Sequence, residues 1–169
     1  KKYSEDWNIT LINTGEDTQT GGRILKIKDY VDSTFCLTYG DGLSNVNIKK
    51  LLNQHKKLKK AATMTVVLPS GRFGAVEISK NKKINKFVEK PMGDNQWVNG
   101  GFFVLEKKVF KYLKNNQTVW EKEPLENLAK DNQLYSFKHN GFWHPMDTLR
   151  DKIYLDSLWK SKKAHWKIW

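Results

Sequence analysis

The stretch that most constrains the fold is residues 35–42, which read FCLTYGDG. Five apolar and β-favouring residues end abruptly at Gly40, Asp41 and Gly42. A short run that is not polar at alternate positions is typical of a buried strand in a parallel sheet, and it predicts the central strand of this protein. In open α/β sheets, ligands bind outside the carboxyl ends of such strands.

The glycine-flanked aspartate at the end of this strand has two interpretations. The glycines let the backbone approach a bulky ligand, and Asp41 offers a carboxylate to a hard metal ion. The alternative is an Asp-Gly turn whose side chain is simply solvated. The stretch alone does not decide between them, so the rest of the chain has to.

The remaining patterns predict an α/β fold in which helices flank a mixed sheet. Further strands are predicted at residues 7–13, 62–68, 98–105, 134–137 and 141–143, and a hairpin at 74–78 and 84–88. Helices are predicted at residues 23–31, 107–114, 120–131 and 149–161, and after a cap at Ser44 or Asn47. His55 in that capped helix is interpreted as a packed helix residue, not a ligand. Because no repeat or linker divides the chain, residues 1–169 are predicted to form a single domain.

The net charge of +12 suggests nucleic acid or an acidic membrane surface as a partner, but the residue types argue against both. Nearly all of the positive charge is lysine, whereas readers of phosphate and bases favour arginine. No apolar run approaches the length that crosses a bilayer. The single cysteine, Cys36, excludes an internal disulfide, indicates a reducing compartment such as the cytoplasm, and is expected to be buried in its strand.

Charged residues stand at the ends of several predicted strands: Asp41, the pair Glu89 and Lys90, and Asp147. Two carboxylates from distant parts of the chain suit Mg²⁺, which takes a few carboxylates together with phosphate oxygens and water. A lysine beside them neutralises phosphate charge. These groups are the ones that phosphoryl or nucleotidyl transfer requires, since catalysis there is mostly positioning and charge stabilisation.

The same residues lie in motifs through which the chain resembles the sugar-1-phosphate nucleotidyltransferases. The matching segments are residues 14–23 (TGEDTQTGGR), 38–42 (TYGDG), 71–75 (GRFGA), 89–91 (EKP), 99–104 (NGGFFV), 120–125 (WEKEPL) and 141–151 (GFWHPMDTLRD). The resemblance covers essentially the whole chain. It is greatest to the members that use CTP and glucose 1-phosphate, and it implies transfer of a cytidylyl group to give CDP-glucose, a precursor of surface sugars, and pyrophosphate.

The resemblance also implies a role for individual residues. Asp41 and Asp147 would hold Mg²⁺, and Lys90 would contact the sugar phosphate as the third catalytic residue. The sugar-binding residues would be Gly74, Glu89, Asn99 and Gly100. The nucleotide-binding residues would be Thr18, Arg23 and Gly40. His144 stands where the family usually has glutamine, and we expect this exchange to be neutral.

One family feature is absent from the chain. The family opens with a Gly-rich signature that cradles the triphosphate, and the resemblance here begins after it, in the C-terminal part of the nucleotidyltransferase domain. We therefore expect the 169-residue chain alone to lack activity and the first parallel strands of the fold, with activity residing in a longer parent that forms homo-oligomers. Two alternatives remain: the same chemistry with UTP or dTTP, and a non-catalytic basic binding fragment.

Overall fold

The computed structural model describes residues 6–69, 75–88 and 96–168. The helices in these ranges are α1 (Thr20–Lys26), α2 (Ile48–Leu58), α3 (Glu123–Lys130) and α4 (Leu149–Lys160), with short 3₁₀ helices at Lys28–Tyr30 and Lys107–Tyr112. The strands are β1 (Thr34–Thr38), β2 (Gly42–Ser44), β3 (Ala62–Val67), β4 (Ala75–Ile78), β5 (Ile84–Val88), β6 (Val98–Glu106), β7 (Leu134–His139) and β8 (Trp143–Pro145). None of the helices in the described ranges has the length and apolar character that crossing a membrane requires.

The main sheet has four strands in the order β1-β6-β3-β7. Strand β6 is antiparallel to both of its neighbours, whereas β3 and β7 run parallel. Two smaller antiparallel pairs accompany it, the predicted β4–β5 hairpin and a ribbon formed by β2 and β8. The predicted fold class, a mixed sheet flanked by helices, is confirmed.

The core lies between β6 and the helical segments that follow it. Phe103 and Leu105 of β6 pack with Val109, Trp120 and Leu128, all of which are buried. The rings of Phe103 and Trp120 meet edge to face, with their centroids 5.8 Å apart, a geometry that aromatic pairs favour. The segment around Trp120 is thereby fixed against the sheet. The next residue, Glu121, is fixed in place with it.

The predicted cap and the predicted role of His55 are both confirmed in α2. The Asn47 side chain accepts a hydrogen bond from the Lys50 N–H at 2.8 Å, which satisfies one of the free donors at the start of the helix. His55 is 1% exposed. Its two ring nitrogens lie 2.8 Å from the Thr63 hydroxyl and 3.0 Å from a Glu106 carboxylate oxygen. Both nitrogens are therefore engaged in packing the helix on the sheet.

Strand β6 carries an irregularity at the end that precedes the core. The stretch from Asn99 to Phe103 in β6 lies opposite the shorter stretch from Met64 to Val66 in β3, so β6 holds extra residues there. Gly101 lies within this bulge, and its φ of 78° is a left-handed conformation that side chains disfavour. Bulges of this kind redirect neighbouring side chains and are frequent next to active sites.

The prediction that residues 35–39 form a buried, central, parallel strand is wrong. Among the described strands, β1 lies at the edge of the sheet and pairs with β6 alone, in the antiparallel sense. Cys36, expected to be buried, is exposed. The apolar run is half-covered because Phe35 stacks on Phe110 while the alternate positions face outward.

The strand predicted at residues 7–13 is also wrong, since residues 6–15 have no regular structure. Trp7, Ile9 and Leu11 are exposed, Leu11 by 92%. Alternation of apolar and polar residues favours a strand only where a neighbouring strand supplies hydrogen bonds, and no other described strand pairs with this segment.

The helix predicted at residues 107–114 needs correction, since the chain forms a 3₁₀ helix over Lys107–Tyr112 and not an α-helix. The helix predicted at residues 149–161 forms, but its apolar residues are unevenly covered. Leu155 is buried, whereas Ile153 and Trp159 are 60% and 52% exposed.

Candidate active site

The ribbon of β2 and β8 brings the two predicted metal-binding aspartates together. Gly42 pairs with Pro145, and one residue further along the Met146 N–H donates to the Asp41 carbonyl oxygen at 2.8 Å. Asp41 therefore lies opposite the residue that precedes Asp147 in the chain. Facing residues of antiparallel strands have Cα atoms about 5 Å apart. The backbone of Asp147 therefore lies one residue beyond the position facing Asp41, although 106 positions (147 − 41) separate these exposed aspartates in the chain.

The backbone before Asp41 is open. A Cβ built on Gly40 would meet no atom within 4 Å, and Gly40 is itself exposed. A large ligand can therefore approach the chain here, as the sequence predicted for a nucleotide. This openness is compatible with both interpretations of the Gly-Asp-Gly stretch, a ligand site and a solvated turn.

Gly100, predicted to line the sugar, lies where β6 packs closely on β3. A Cβ on Gly100 would lie 3.1 Å from Val67 and 3.2 Å from the Thr65 carbonyl oxygen, so the missing side chain allows β6 to pack closely on β3. The Gly100 carbonyl oxygen accepts a hydrogen bond from the Trp143 indole at 2.8 Å. This bond ties the β2–β8 ribbon, and the aspartates with it, to the main sheet.

The side chain of Asn99, predicted to bind sugar, is held by hydrogen bonds on both of its polar atoms. Its Oδ1 accepts from the Gly101 N–H at 2.8 Å, and its Nδ2 donates to the Tyr39 hydroxyl at 3.1 Å. Tyr39 in turn donates to the Glu121 carboxylate at 2.6 Å. Burial, with the Glu121 hydrogen bond as the next cause, raises the pKa of Tyr39 well above its ordinary value, so the hydroxyl keeps its proton.

The loop that was predicted to bind the nucleotide uses its polar groups to hold its own shape. Thr18 is buried and donates to the Thr14 carbonyl oxygen at 2.5 Å. Arg23 donates to the Thr14 hydroxyl at 2.5 Å and to the Glu16 carbonyl oxygen at 3.1 Å. These two residues therefore shape residues 14–16, and a nucleotide bound here would meet a preformed loop.

Two glycines of this loop lie against another segment of backbone, and the N–H of Gly22 is bonded there. Its N–H donates to the Thr118 carbonyl oxygen at 3.1 Å. A Cβ on Gly21 would lie 2.8 Å from Thr118, and one on Gly22 would lie 2.6 Å from Asn116. Both glycines are required because α1 packs directly on the backbone of residues 116–118.

Three predicted site residues, Gly74, Glu89 and Lys90, lie outside the described residues. Among the residues that are described, no group of three or more His, Cys, Asp or Glu side chains is arranged to hold a metal. A pair of carboxylates still suits Mg²⁺, because this ion commonly takes one or two carboxylates and completes its shell with substrate phosphates and water.

Glu121 is a site residue to which sequence reasoning assigned no role. Its carboxylate accepts from Tyr39 and, at 2.7 Å, from the Thr20 hydroxyl in α1. The signal that points to it is its position directly after Trp120, which is fully buried. A large buried anchor fixes the backbone on which the next side chain stands.

Residues 2–159 of the chain match the Nucleotidyl transferase family. The chain belongs to this family. It is 48% identical over 170 aligned residues to the glucose-1-phosphate cytidylyltransferases of Salmonella typhi and Salmonella typhimurium. Each alignment covers 99% of this chain but 66% of the relative, so the chain spans just under two thirds of their length.

The fold agrees with solved structures of the family at lower identity. A UDP-glucose pyrophosphorylase crystallised with UDP-glucose matches with a TM-score of 0.63, at 16% identity, over 89% of this chain and 65% of that one. At this identity the match shows the fold alone. The family resemblance carried by the sequence motifs is confirmed.

Proposed function

We propose that the complete protein transfers the cytidylyl group of CTP to glucose 1-phosphate, giving CDP-glucose and pyrophosphate. The observation that carries this proposal is the 48% identity, over 99% of the chain, with a glucose-1-phosphate cytidylyltransferase. The pairing that makes Asp41 and Asp147 neighbours supports it, because nucleotidyl transfer needs a metal site at the phosphates.

In this reaction an oxygen of the sugar phosphate attacks the α-phosphorus of CTP, and the bond from that phosphorus to the β-phosphate oxygen breaks. Positioning and neutralisation of phosphate charge account for most of the catalysis in such transfers. Asp41 and Asp147 would hold Mg²⁺, which when bound neutralises part of that charge. Lys90, placed from the sequence, would bind the phosphate of the sugar.

The sugar would lie beside the start of β6. After its bonds to Gly101 and Tyr39, the Asn99 amide retains one N–H and one lone pair with which to bind a hydroxyl group. Glu89 and Gly74, placed from the sequence, would complete this side of the site. On the nucleotide side, Gly40 leaves room for the ligand and Thr18 and Arg23 hold the loop that would face it.

Two further proposals concern the setting of the enzyme. We place it in the cytoplasm, because a single exposed cysteine persists as a thiol in a reducing compartment. We also expect a homo-oligomer, since Leu149 and Ile153, one turn apart on α4, expose apolar side chains in the described part of the chain. Light scattering of the complete protein tests the second of these.

The test is an assay of the complete protein with glucose 1-phosphate, Mg²⁺ and either CTP, UTP or dTTP, in which pyrophosphate and the nucleotide sugar are both measured. CTP should give CDP-glucose, and Asp41→Asn should lower turnover by a factor of roughly hundreds, the usual loss for such a catalytic component. Asp156→Asn is the matched control, because Asp156 is an exposed partner of Lys152 on α4. Preference for UTP or dTTP would refute the cytidylyl assignment, and full turnover of Asp41→Asn would refute the metal site.

A further inference from the structure

A chain of hydrogen bonds runs from α1 to the sugar side of the site, and Glu121 is its central member. One carboxylate oxygen accepts from the Thr20 hydroxyl at 2.7 Å and the other from the Tyr39 hydroxyl at 2.6 Å. The Tyr39 oxygen accepts from Asn99 Nδ2 at 3.1 Å, and Asn99 Oδ1 accepts from the Gly101 N–H at 2.8 Å. Four side chains from four separate segments of the chain are thus connected end to end.

The two ends of this chain of bonds fix its direction. The Gly101 N–H can only donate, so Asn99 Oδ1 faces it and the Asn99 NH₂ group turns toward the Tyr39 oxygen. An ionised carboxylate only accepts, so the Tyr39 hydroxyl gives its proton to Glu121 and its oxygen stays free to accept from Asn99. Glu121 therefore decides whether the Asn99 NH₂ group finds an acceptor at Tyr39.

Glu121 bonds in two directions, to Thr20 of α1 and through Tyr39 to Asn99, and these two arms of the network differ in how much they depend on it. The α1 arm has other anchors: Gln19 N–H donates to Asn116 at 2.8 Å, Gly22 N–H to Thr118 at 3.1 Å, and Trp120 N–H to the Thr20 hydroxyl at 2.9 Å. The Asn99 amide has only Tyr39 and Gly101 among the described residues. Loss of the carboxylate should therefore loosen the sugar side far more than the loop near the nucleotide.

We propose that Glu121 is a positioning residue for the sugar phosphate substrate, acting through Tyr39 on the amide of Asn99. The inference rests on the proposed function, because it assigns the start of β6 to the sugar. Glu121 does not need to touch the substrate in this role. It keeps the Tyr39 hydroxyl proton turned away from Asn99, so that the Asn99 amide is held by both of its bonds before the substrate arrives.

The variants that test this are Glu121→Gln, Tyr39→Phe and the double variant. A glutamine keeps the length but can offer NH₂ to Tyr39, whose hydroxyl proton then points at the Asn99 NH₂ group and breaks that bond. The phenylalanine removes the hydroxyl that links Glu121 to Asn99, the link called the relay below. The matched controls are Glu123→Gln and Tyr112→Phe, since Glu123 is an exposed partner of Lys114 and Tyr112 donates to Asp131 outside the site.

The first readout is kinetic and uses the complete protein. Each single variant should raise the KM for glucose 1-phosphate about tenfold, the order of magnitude of one lost hydrogen bond, while the KM for CTP changes by less than about threefold. Because both substitutions break the same relay, the double variant should be no worse than the poorer single one. Equal rises in both KM values, or effects that multiply in the double variant, would overturn the proposal.

The second readout does not depend on activity. The Gly101 N–H bonds to Asn99, so its hydrogen exchange, followed by NMR, reports whether that amide is held. Exchange should be about tenfold faster in Glu121→Gln and Tyr39→Phe and unchanged in the two controls. Unchanged exchange in Glu121→Gln would overturn the positioning role. Failure of the wild type to form CDP-glucose would overturn only the proposed function, and the exchange measurement would still decide the role of Glu121.

Discussion

Replacing Gly101 by alanine should destabilise the protein through two separate effects at the bulge of β6. Gly101 has a φ of 78°, and a Cβ there would lie 2.9 Å from the Tyr39 ring. The Tyr39 ring cannot easily move away, because the Tyr39 hydroxyl donates to Glu121. The Tyr39 backbone N–H also donates to the Gly101 carbonyl oxygen at 3.0 Å. The substitution therefore strains both the backbone and the packing.

The magnitude follows from adding these effects. A left-handed conformation costs a residue with a Cβ about 1–2 kcal/mol relative to glycine. Forcing an extra carbon against a ring that cannot move away costs about 1–3 kcal/mol more. The free energy of unfolding should thus fall by about 2–5 kcal/mol, which is a large part of the 5–15 kcal/mol that domains usually have.

Gly40→Ala is the matched control for this prediction. Gly40 has no positive φ, and a Cβ there would meet nothing within 4 Å. Alanine at such a position usually stabilises by about 0.4–1 kcal/mol, because it restricts the unfolded chain. Urea unfolding followed by tryptophan fluorescence measures both variants. Unfolding free energies of Gly101→Ala and Gly40→Ala within about 1 kcal/mol of each other would refute the strain at the bulge.

Two further predictions concern a lysine and an aspartate. Lys90→Ala should raise the KM for glucose 1-phosphate far more than the KM for CTP, whereas Lys59→Ala should change neither; equal rises in both would argue against a sugar-phosphate role for Lys90. At the start of α4, hydrogen bonds from Thr148 lower the pKa of Asp151 below its ordinary 3.8. Because the folded pKa is the lower one, Asp151 contributes stability above pH 3.8 that is lost as the pH falls through the folded pKa. Acid unfolding should therefore be less steep in Asp151→Asn than in the wild type, and identical profiles would contradict this.

The sequence by itself determined the features that depend on local chemistry. Asn47 caps α2 because its side chain is short enough to reach the helix N–H groups, and the β4–β5 hairpin forms where its turn was predicted. The strand predicted at residues 62–68 forms as β3, whose residues are almost all buried between β6 and β7. The motifs also identified the family and pointed to Asp41 and Asp147.

Only the tertiary structure decided which of these residues meet and which apolar faces are covered. Residues 7–13 and 35–39 have strand-like patterns, yet one stretch is irregular and the other is an edge strand, because pairing depends on what lies alongside. The neighbours Asp41 and Met146, and the relay from Glu121 to Asn99, join residues far apart in the chain. Local spacing in the sequence carries no information about such pairs. The register of the β2–β8 ribbon places Asp41 opposite Met146, and the packing of Trp120 on Phe103 places Glu121 beside Tyr39.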